Sequence, residues 1–386
     1  MYPKTVSLMR ICYVADGRFI HALRWLRYFS ERGKEMYLVS FVPMEPQHVA
    51  AVEATGARYL GHLGAFHLKR FWRTGRDLLF LRRLLRRERI DLLHCHFLGS
   101  GAWFAALSRF HPFVLTILGG DINGPDWKPG KDVRERLLSP FALRNADLIT
   151  CHPYQLRQAV KRFAQTRIEM VHCGVNLTCF SPGPRPQRLL EQWKLPPNAR
   201  VVLSPRLLRP LYNIETIAAA AREVCAAVPS VYFLFAFLRD AVDKDYENRV
   251  REIVAADPFT SERVQFIGDI PHEEMPDYYR LADVVVSIPS HDGTALSVLE
   301  SMACDTPVVV SRIPDYDPHY IAPGETVLAV NPKDSTELAA ALVELLRNPE
   351  LATRLSAEAR CRVEASAGDQ AQISRMEQLY HELCGM

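Results

Sequence analysis

The chain has 386 residues, a formal net charge of +3, 48% hydrophobic and 24% charged residues, and 26 prolines. That length exceeds one ordinary core and predicts two domains of roughly 150–200 residues each, while the composition excludes a disordered chain. The charge is small, and no long basic stripe with interleaved aromatics is present, which argues against a nucleic-acid partner.

In chain order, apolar runs of strand length alternate with helical periodicity, the pattern of parallel βαβ units. "SLMRICYVA" (7–15) reads as a first strand, "IHALRWLRYFSERG" (20–33) as a helix ended by Gly33, and "EMYLVSFV" as the next strand. Further strands are predicted at 57–60, 91–95, 112–117, 147–151 and 168–172. Between them, residues 69–90 carry nine basic residues against two acidic, with several leucines on one side of a helix. This segment fits either a solvated arginine face or peripheral contact with an anionic membrane.

Five prolines in the 22 residues 179–200 interrupt both periodicities, and the junction is placed there. A second series opens at 201, runs through a helix at 214–227, and continues with strands at 231–237, 263–270, 283–289, 307–312 and 326–330. The tail "DQAQISRMEQLYHELCGM" reads as a last amphipathic helix. The expected organisation is an N-terminal doubly wound domain (1–180), a linker (181–197), a C-terminal doubly wound domain (198–365) and a helix (366–386) crossing back to the first domain. Two doubly wound sheets bind ligands at the carboxyl ends of their strands, so the cleft between them is the expected site.

The nine cysteines are scattered without a CxxC pair, which points to a reducing cytosol and to no structural zinc. No secretory apolar region and no run of 18 uncharged apolar residues is present, so a cytoplasmic protein is expected.

The stretch most informative about chemistry is "SIPSHDGTALSVLESMACDTPVVV", Ser287 to Val310. It fits a strand, a turn at Gly293, a crossover helix with Thr294 as N-cap, and a second strand. Backbone N–H groups of residues 294–297 would point out of the first helical turn and favour a phosphate. Glu300 would lie about 9 Å further along the axis, within reach of a ribose, with Asp292 on the other side of the turn. Spacing alone leaves two readings open: a phosphate-and-sugar site, or an ordinary turn aspartate and helix glutamate.

This segment resembles the signature of the retaining glycosyltransferases of family 4, in which an acid, seven residues and a glutamate precede an "AMACG.PVV" type of run. "ADGRFIHALRWLRYFSERGKEMYLVS", "DLLHCHFLGSG", "VLTILGGDI", "HCGVN" with Phe180, "LSPRLLRPLYN" and "FIGDIPHEEMPDYYRLADVVVSIPS" match further stations of that family in order, as does "PGETVLAVNPKDSTELAAALVELLRNPE". The resemblance implies a GT-B fold, two Rossmann-like doubly wound domains facing each other across a cleft. It also implies transfer of a sugar from a nucleotide-sugar, by default a UDP-sugar, to a hydroxyl or amine of an acceptor, without metal or cofactor. Retention of anomeric configuration is implied by the resemblance alone.

Carried over residue by residue, the resemblance makes Glu300 the ligand of the donor ribose and Arg206 that of the diphosphate. Asp292, where the family more often has glutamate, would face the transferred sugar with the backbone of Gly293, Thr294, Ala295 and Leu296. The family's usual lysine has no clear equivalent in "RLLRPLYN", and Arg209 or Asn213 is the expected substitute. The base would lie by Gly268, Asp269 and Ile270. Tyr278 and Tyr279 are expected to pack on the sheet. In the first domain, Gly17 and Arg18 occupy the turn where the family's glycine-rich loop approaches donor and acceptor. His21 fits an acceptor contact or a cap.

Leu118 stands where many relatives have a histidine. Gly120 and Asp121 remain, and Asp121 is the expected residue for orienting the acceptor or supporting proton removal, so Asp121, Arg206 and Asp292 form the expected catalytic set. His94, His96 and His152 are placed along the cleft or, as is commoner for a single histidine, in the core. The acceptor is a small molecule, a saccharide or a lipid-linked species. The rival readings are a sugar-nucleotide epimerase of related fold and a non-catalytic sugar-nucleotide-binding partner protein.

Overall fold

The computed structural model describes residues 8–67, 70–118, 122, 133–151, 157, 160–171, 174–237 and 242–385. The chain divides into two compact units, Met1–Cys173 with Gln372–Met386, and Gly174–Ala371.

Short runs of β-branched and other apolar residues form most of the strands, since β-branched side chains suit extended backbone and a sheet covered on both faces buries successive residues on alternate sides. In the first unit these are β1 (Arg10–Val14), β2 (Glu35–Ser40), β3 (Arg58–His62), β4 (Leu92–His96), β5 (Phe113–Ile117), β6 (Leu148–Cys151) and β7 (Arg167–Met170). All pair in parallel, in the order β3-β2-β1-β4-β5-β6-β7. Successive residues of β1 show the pleat at work. Cys12 and Val14 enter the cluster built with Leu81, Leu84 and Leu85 of the helix Phe71–Arg87 and with Ala102, Trp103 and Phe104 of the helix Ser100–Ser108. Ile11 and Tyr13 enter the opposite cluster, with Trp25, Leu26 and Phe29 of the helix Ile20–Glu31. Gly33 ends that helix region with φ +74°, a left-handed conformation that favours glycine.

The last helix, Asp369–Cys384, joins the second of these clusters through Ile373, Met376, Leu379 and Tyr380. Tyr380 also closes a buried chain of hydrogen bonds. Its hydroxyl meets the Tyr13 hydroxyl at 2.8 Å and Nδ1 of His94, whose Nε2 meets Thr116 Oγ1 at 2.6 Å, and Thr116 meets Thr150.

In the second unit the strands are β8 (Arg200–Ser204), β9 (Val231–Ala236), β10 (Val264–Gly268), β11 (Val284–Ser287), β12 (Val308–Ser311) and β13 (Leu328–Val330). They form a parallel sheet in the order β10-β9-β8-β11-β12-β13. One face is covered by the helices Met275–Leu281, Leu296–Ala303 and Pro349–Ser366, and the other by Ile214–Ala227, Lys244–Ala255 and Ser335–Arg347. Residues 181–197 contain the helix Gln187–Gln192, whose Leu189 and Leu190 are buried beside Tyr278 and Tyr279 of this unit.

Gly174 and Val175 lie against the segment Ala367–Asp369, with the Val175 N–H donating to Ala367 O and the Asp369 N–H to Val175 O. Gly174 has φ +73°, and a Cβ there would stand 2.3 Å from Asp369 Cα, so only glycine fits this crossing. Among the described residues, no helix is long and apolar enough to cross a membrane.

Candidate active site

The order of the second sheet reverses between β8 and β11, so the loops following these strands depart to opposite sides and leave a crevice at the carboxyl edge. The two segments singled out from sequence are those two loops. Arg206 lies two residues beyond the end of β8, and Asp292 lies in the loop that follows β11.

The fold brings this pair together. Nη2 of Arg206 donates to Oδ2 of Asp292 at 2.5 Å, and Nη1 donates to the Ser297 hydroxyl at 3.2 Å. The guanidinium stands over the Tyr212 ring, 4.3 Å from its centroid. Both side chains of the ion pair are largely buried, 11% and 21% exposed. Burial pushes the Asp292 carboxyl above its usual range, against the opposing pull of Arg206 and the Gly293 N–H.

Asn213, one of the two expected substitutes for the family's lysine, joins the two loops. It is 3% exposed and adopts φ 50° ahead of the helix Ile214–Ala227. Its amide donates to Ile288 O at 2.8 Å and to Ser290 Oγ at 3.0 Å, tying the two switch-point loops together. Arg209 is exposed on the same loop.

The helix after β11 starts later than expected. It spans Leu296–Ala303 with Ala295 at the N-cap, and no side chain caps it. Thr294 is not the cap, because its hydroxyl accepts the Asp317 N–H at 3.1 Å. Gly293, Ala295 and Leu296 are half-buried at this helix start, whose first N–H groups have no partner within the helix. One turn past Ser297, Glu300 is 4% exposed. Its Oε1 lies 3.0 Å from Nε2 of His272, and its Oε2 accepts the Tyr279 hydroxyl at 3.2 Å. The Phe180 ring packs edge-on against His272, with centroids 5.2 Å apart. Glu300 is therefore a fixed, buried carboxylate, not a solvated helix residue.

The chain also matches known proteins. Residues 187–362 match the model described as "Glycosyl transferases group 1" and residues 16–179 the one described as "Glycosyltransferase Family 4". The D-inositol 3-phosphate glycosyltransferase of Frankia alni is 30% identical over 294 residues, 70% of this chain and 69% of that protein. The chain belongs to glycosyltransferase family 4. The enzyme of the same name from Thermobispora bispora is 28% identical over 331 residues, 78% of this chain and 74% of the other. Among solved structures, HepE from Anabaena, in complex with UDP, superimposes with a TM-score of 0.78 at 14% identity, covering 97% of this chain and 100% of that one. The fold is thus GT-B, two Rossmann-like units, and the protein is a glycosyltransferase.

In the second unit of this glycosyltransferase, Gly268 ends β10 with φ +70°, and its carbonyl accepts the Phe237 N–H at 3.1 Å. Asp269 is exposed, and Ile270 is half-buried against the cluster that contains Tyr278 and Tyr279. Both tyrosines pack as expected, with Tyr279 also touching Glu300. Sequence reading did not find His272, Ser297 or Tyr212. The available signals were local: His272 follows the β10 loop directly, Ser297 precedes Glu300 by three residues on one helix face, and Tyr212 immediately precedes Asn213.

In the first unit, Gly17 is buried, and a Cβ there would meet the side-chain ends Leu38 Cδ2 at 2.6 Å and Met44 Cε at 2.8 Å, which would have to shift to admit it. Arg18 is exposed and paired with the buried Asp16 at 2.7 Å. His94 is fully buried in the core network, and His96 is 5% exposed among the rings of Tyr13, Trp25 and His94. Gly120, Asp121, His152 and the side chain of His21 lie outside the described residues. Among the described residues, no group of three or more His, Cys, Asp or Glu is placed to hold a metal ion.

Proposed function

We propose that the second unit binds a nucleoside diphosphate sugar, by default a UDP-sugar, and that the enzyme transfers the sugar with retention to a hydroxyl or amine of an acceptor held by the first unit. The observation that carries this reading is the arrangement around one helix start. Arg206 lies beside the first turn of Leu296–Ala303, and Glu300 stands one turn further along, clamped by His272 and Tyr279.

In this reading Glu300 accepts hydrogen bonds from the ribose hydroxyls, and Arg206 with the helix-start N–H groups receives the diphosphate. Arg209 is a second cation on the same loop, and residues 268–270 border the base. The complex of HepE with UDP supports uridine as the base. As the bond from the anomeric carbon to the diphosphate oxygen breaks, negative charge grows on that oxygen, and a guanidinium and fixed N–H dipoles stabilise it without a metal ion. The acceptor oxygen or nitrogen forms its bond to the same carbon on the face the leaving group occupies. Its proton passes to the departing diphosphate, with Asp292 facing the sugar and Asp121 orienting the acceptor. A small molecule, a saccharide or a lipid-linked species would serve as acceptor, the last bringing segment 69–90 into play. Nine scattered cysteines fit a cytoplasmic setting.

The test is a calorimetric screen of nucleoside diphosphates and nucleotide-sugars against the wild type and Glu300→Ala. One selective binder, weakened about tenfold to hundredfold in the variant, is expected from loss of hydrogen bonds to a charged group. A folded wild type that binds none of them at millimolar concentration would overturn the reading.

A further inference from the structure

The helix Phe71–Arg87 is apolar on two sides, and only one of them is used by the fold. Leu81, Leu84 and Leu85 are buried against the first sheet. On the outward side Phe71 is 77%, Trp72 57%, Leu79 51% and Phe80 37% exposed. At 100° per residue, Trp72, Arg76, Leu79, Arg83 and Arg86 fall within one narrow stripe, flanked by Phe80 and Arg87. A helix that only covered its sheet would expose polar side chains on this side.

The charges on the stripe have one sign. The two acidic residues in 70–90 are withdrawn from it: Asp77 is 7% exposed and accepts the Gly64 N–H and the Arg76 guanidinium, and Glu88 is held by Arg58 and Arg87. Arg83 and Arg86 are exposed and make no ion pair among the described residues. Arg73 lies over the Trp72 ring at 4.9 Å.

We propose that this face is a docking surface for an anionic lipid bilayer. Trp72, Leu79 and Phe80 enter the boundary between headgroups and acyl chains, while Arg76, Arg83, Arg86 and Arg87 meet lipid phosphates. Indole rings favour that boundary, and arginine stems can lie along apolar material with their heads at phosphate level. The helix is about 25 Å long and would lie flat on the surface. A second copy of the chain is the poorer occupant, because a two-fold contact through this stripe would set the arginines of one copy against those of the other. The proposal concerns the surface alone and stands or falls independently of the donor site.

Flotation of the full chain with vesicles of phosphatidylcholine, with and without phosphatidylglycerol, tests it. The protein is expected to float with the anionic vesicles only and to be released by added salt. Arg83→Glu with Arg86→Glu, or Trp72→Ser with Leu79→Ser, should each weaken binding about tenfold or more. These side chains are exposed, so thermal melts should match the wild type, and the salt release of the wild type tests the charge contribution without any variant. The proposal is overturned by flotation no better than background, by equal binding to neutral vesicles, or by variants that melt normally and bind as before. It is equally overturned if the chain ignores vesicles but forms a dimer that the Trp72→Ser, Leu79→Ser variant dissolves.

Discussion

Arg206 has two demands on its charge, and they set what its replacement should do. With Asp292 at 2.5 Å it neutralises a largely buried carboxylate, and in the proposed reaction it receives the diphosphate. Arg206→Ala should therefore lose donor affinity about tenfold to hundredfold and also lower stability by about 3 kcal/mol, since the substitution leaves a buried carboxylate without its partner. Arg206→Lys should recover the stability but only part of the affinity, because a single ammonium cannot reach Asp292 and Ser297 together in the planar fork that the guanidinium uses. Urea unfolding and nucleotide calorimetry on the same samples separate the two effects. The type of residue at 206 and 292 was legible in the sequence, but their mutual contact was not, because 86 positions separate them and only the β8–β11 adjacency joins them.

Among the elements, the last helix is tied to the first sheet by a polar network in an apolar setting. Tyr380→Phe removes one hydroxyl and leaves both Tyr13 and His94 short of a partner, which should cost about 1–3 kcal/mol in urea unfolding. Burial, followed by the nearby His96, pushes the His94 pKa well below its ordinary 6.5, so the folded protein holds this imidazole neutral. With a depressed folded pKa, the unfolded chain binds the extra proton. The His94 contribution to stability is thus complete above about pH 6.5 and is lost as the pH falls below it. Unfolding midpoints should drop on acidification through that range, and His94→Gln should flatten the dependence. Elements themselves were read closely from the chain: the helix at 214–227 has the expected bounds, and the strands expected at 112–117 and 283–289 appear as Phe113–Ile117 and Val284–Ser287. The helix start at 294 was read too early, since Thr294 is a good capping residue by type and only the Asp317 N–H that it accepts shows its other use.

For the whole molecule, the boundary of the first unit is drawn by its C-terminal residues. Ile373, Met376, Leu379 and Tyr380 complete the cluster around Ile11, Tyr13, Trp25 and Phe29. Each such burial is worth ~1.5–3 kcal/mol, so losing four of them removes an amount comparable with the ~5–15 kcal/mol that holds a typical domain together. A chain ending at Ala371 should have an unprotected first sheet and a protected second one in hydrogen exchange, with the peptides of β1 and β8 as reporters. Equal protection in both would show that the last helix is dispensable.

The sequence by itself determined the alternation of strands and helices, the presence of two βα series, and the order of stations that mark family 4. Each of these is a local pattern of periodicity, turn residues and short motifs, and local patterns survive in one dimension. The tertiary structure alone decided that Glu300 is clamped by His272 and Tyr279, that Asn213 joins two loops, that Gly17 lies beside Leu38 and Met44, and that His94 is a core residue. It also decided that the arginine-rich helix carries exposed aromatics on its outer side. The physical reason is common to all five: which side chain a residue meets, and whether water reaches it, depends on strand order and helix rotation, which bring together positions far apart in the chain.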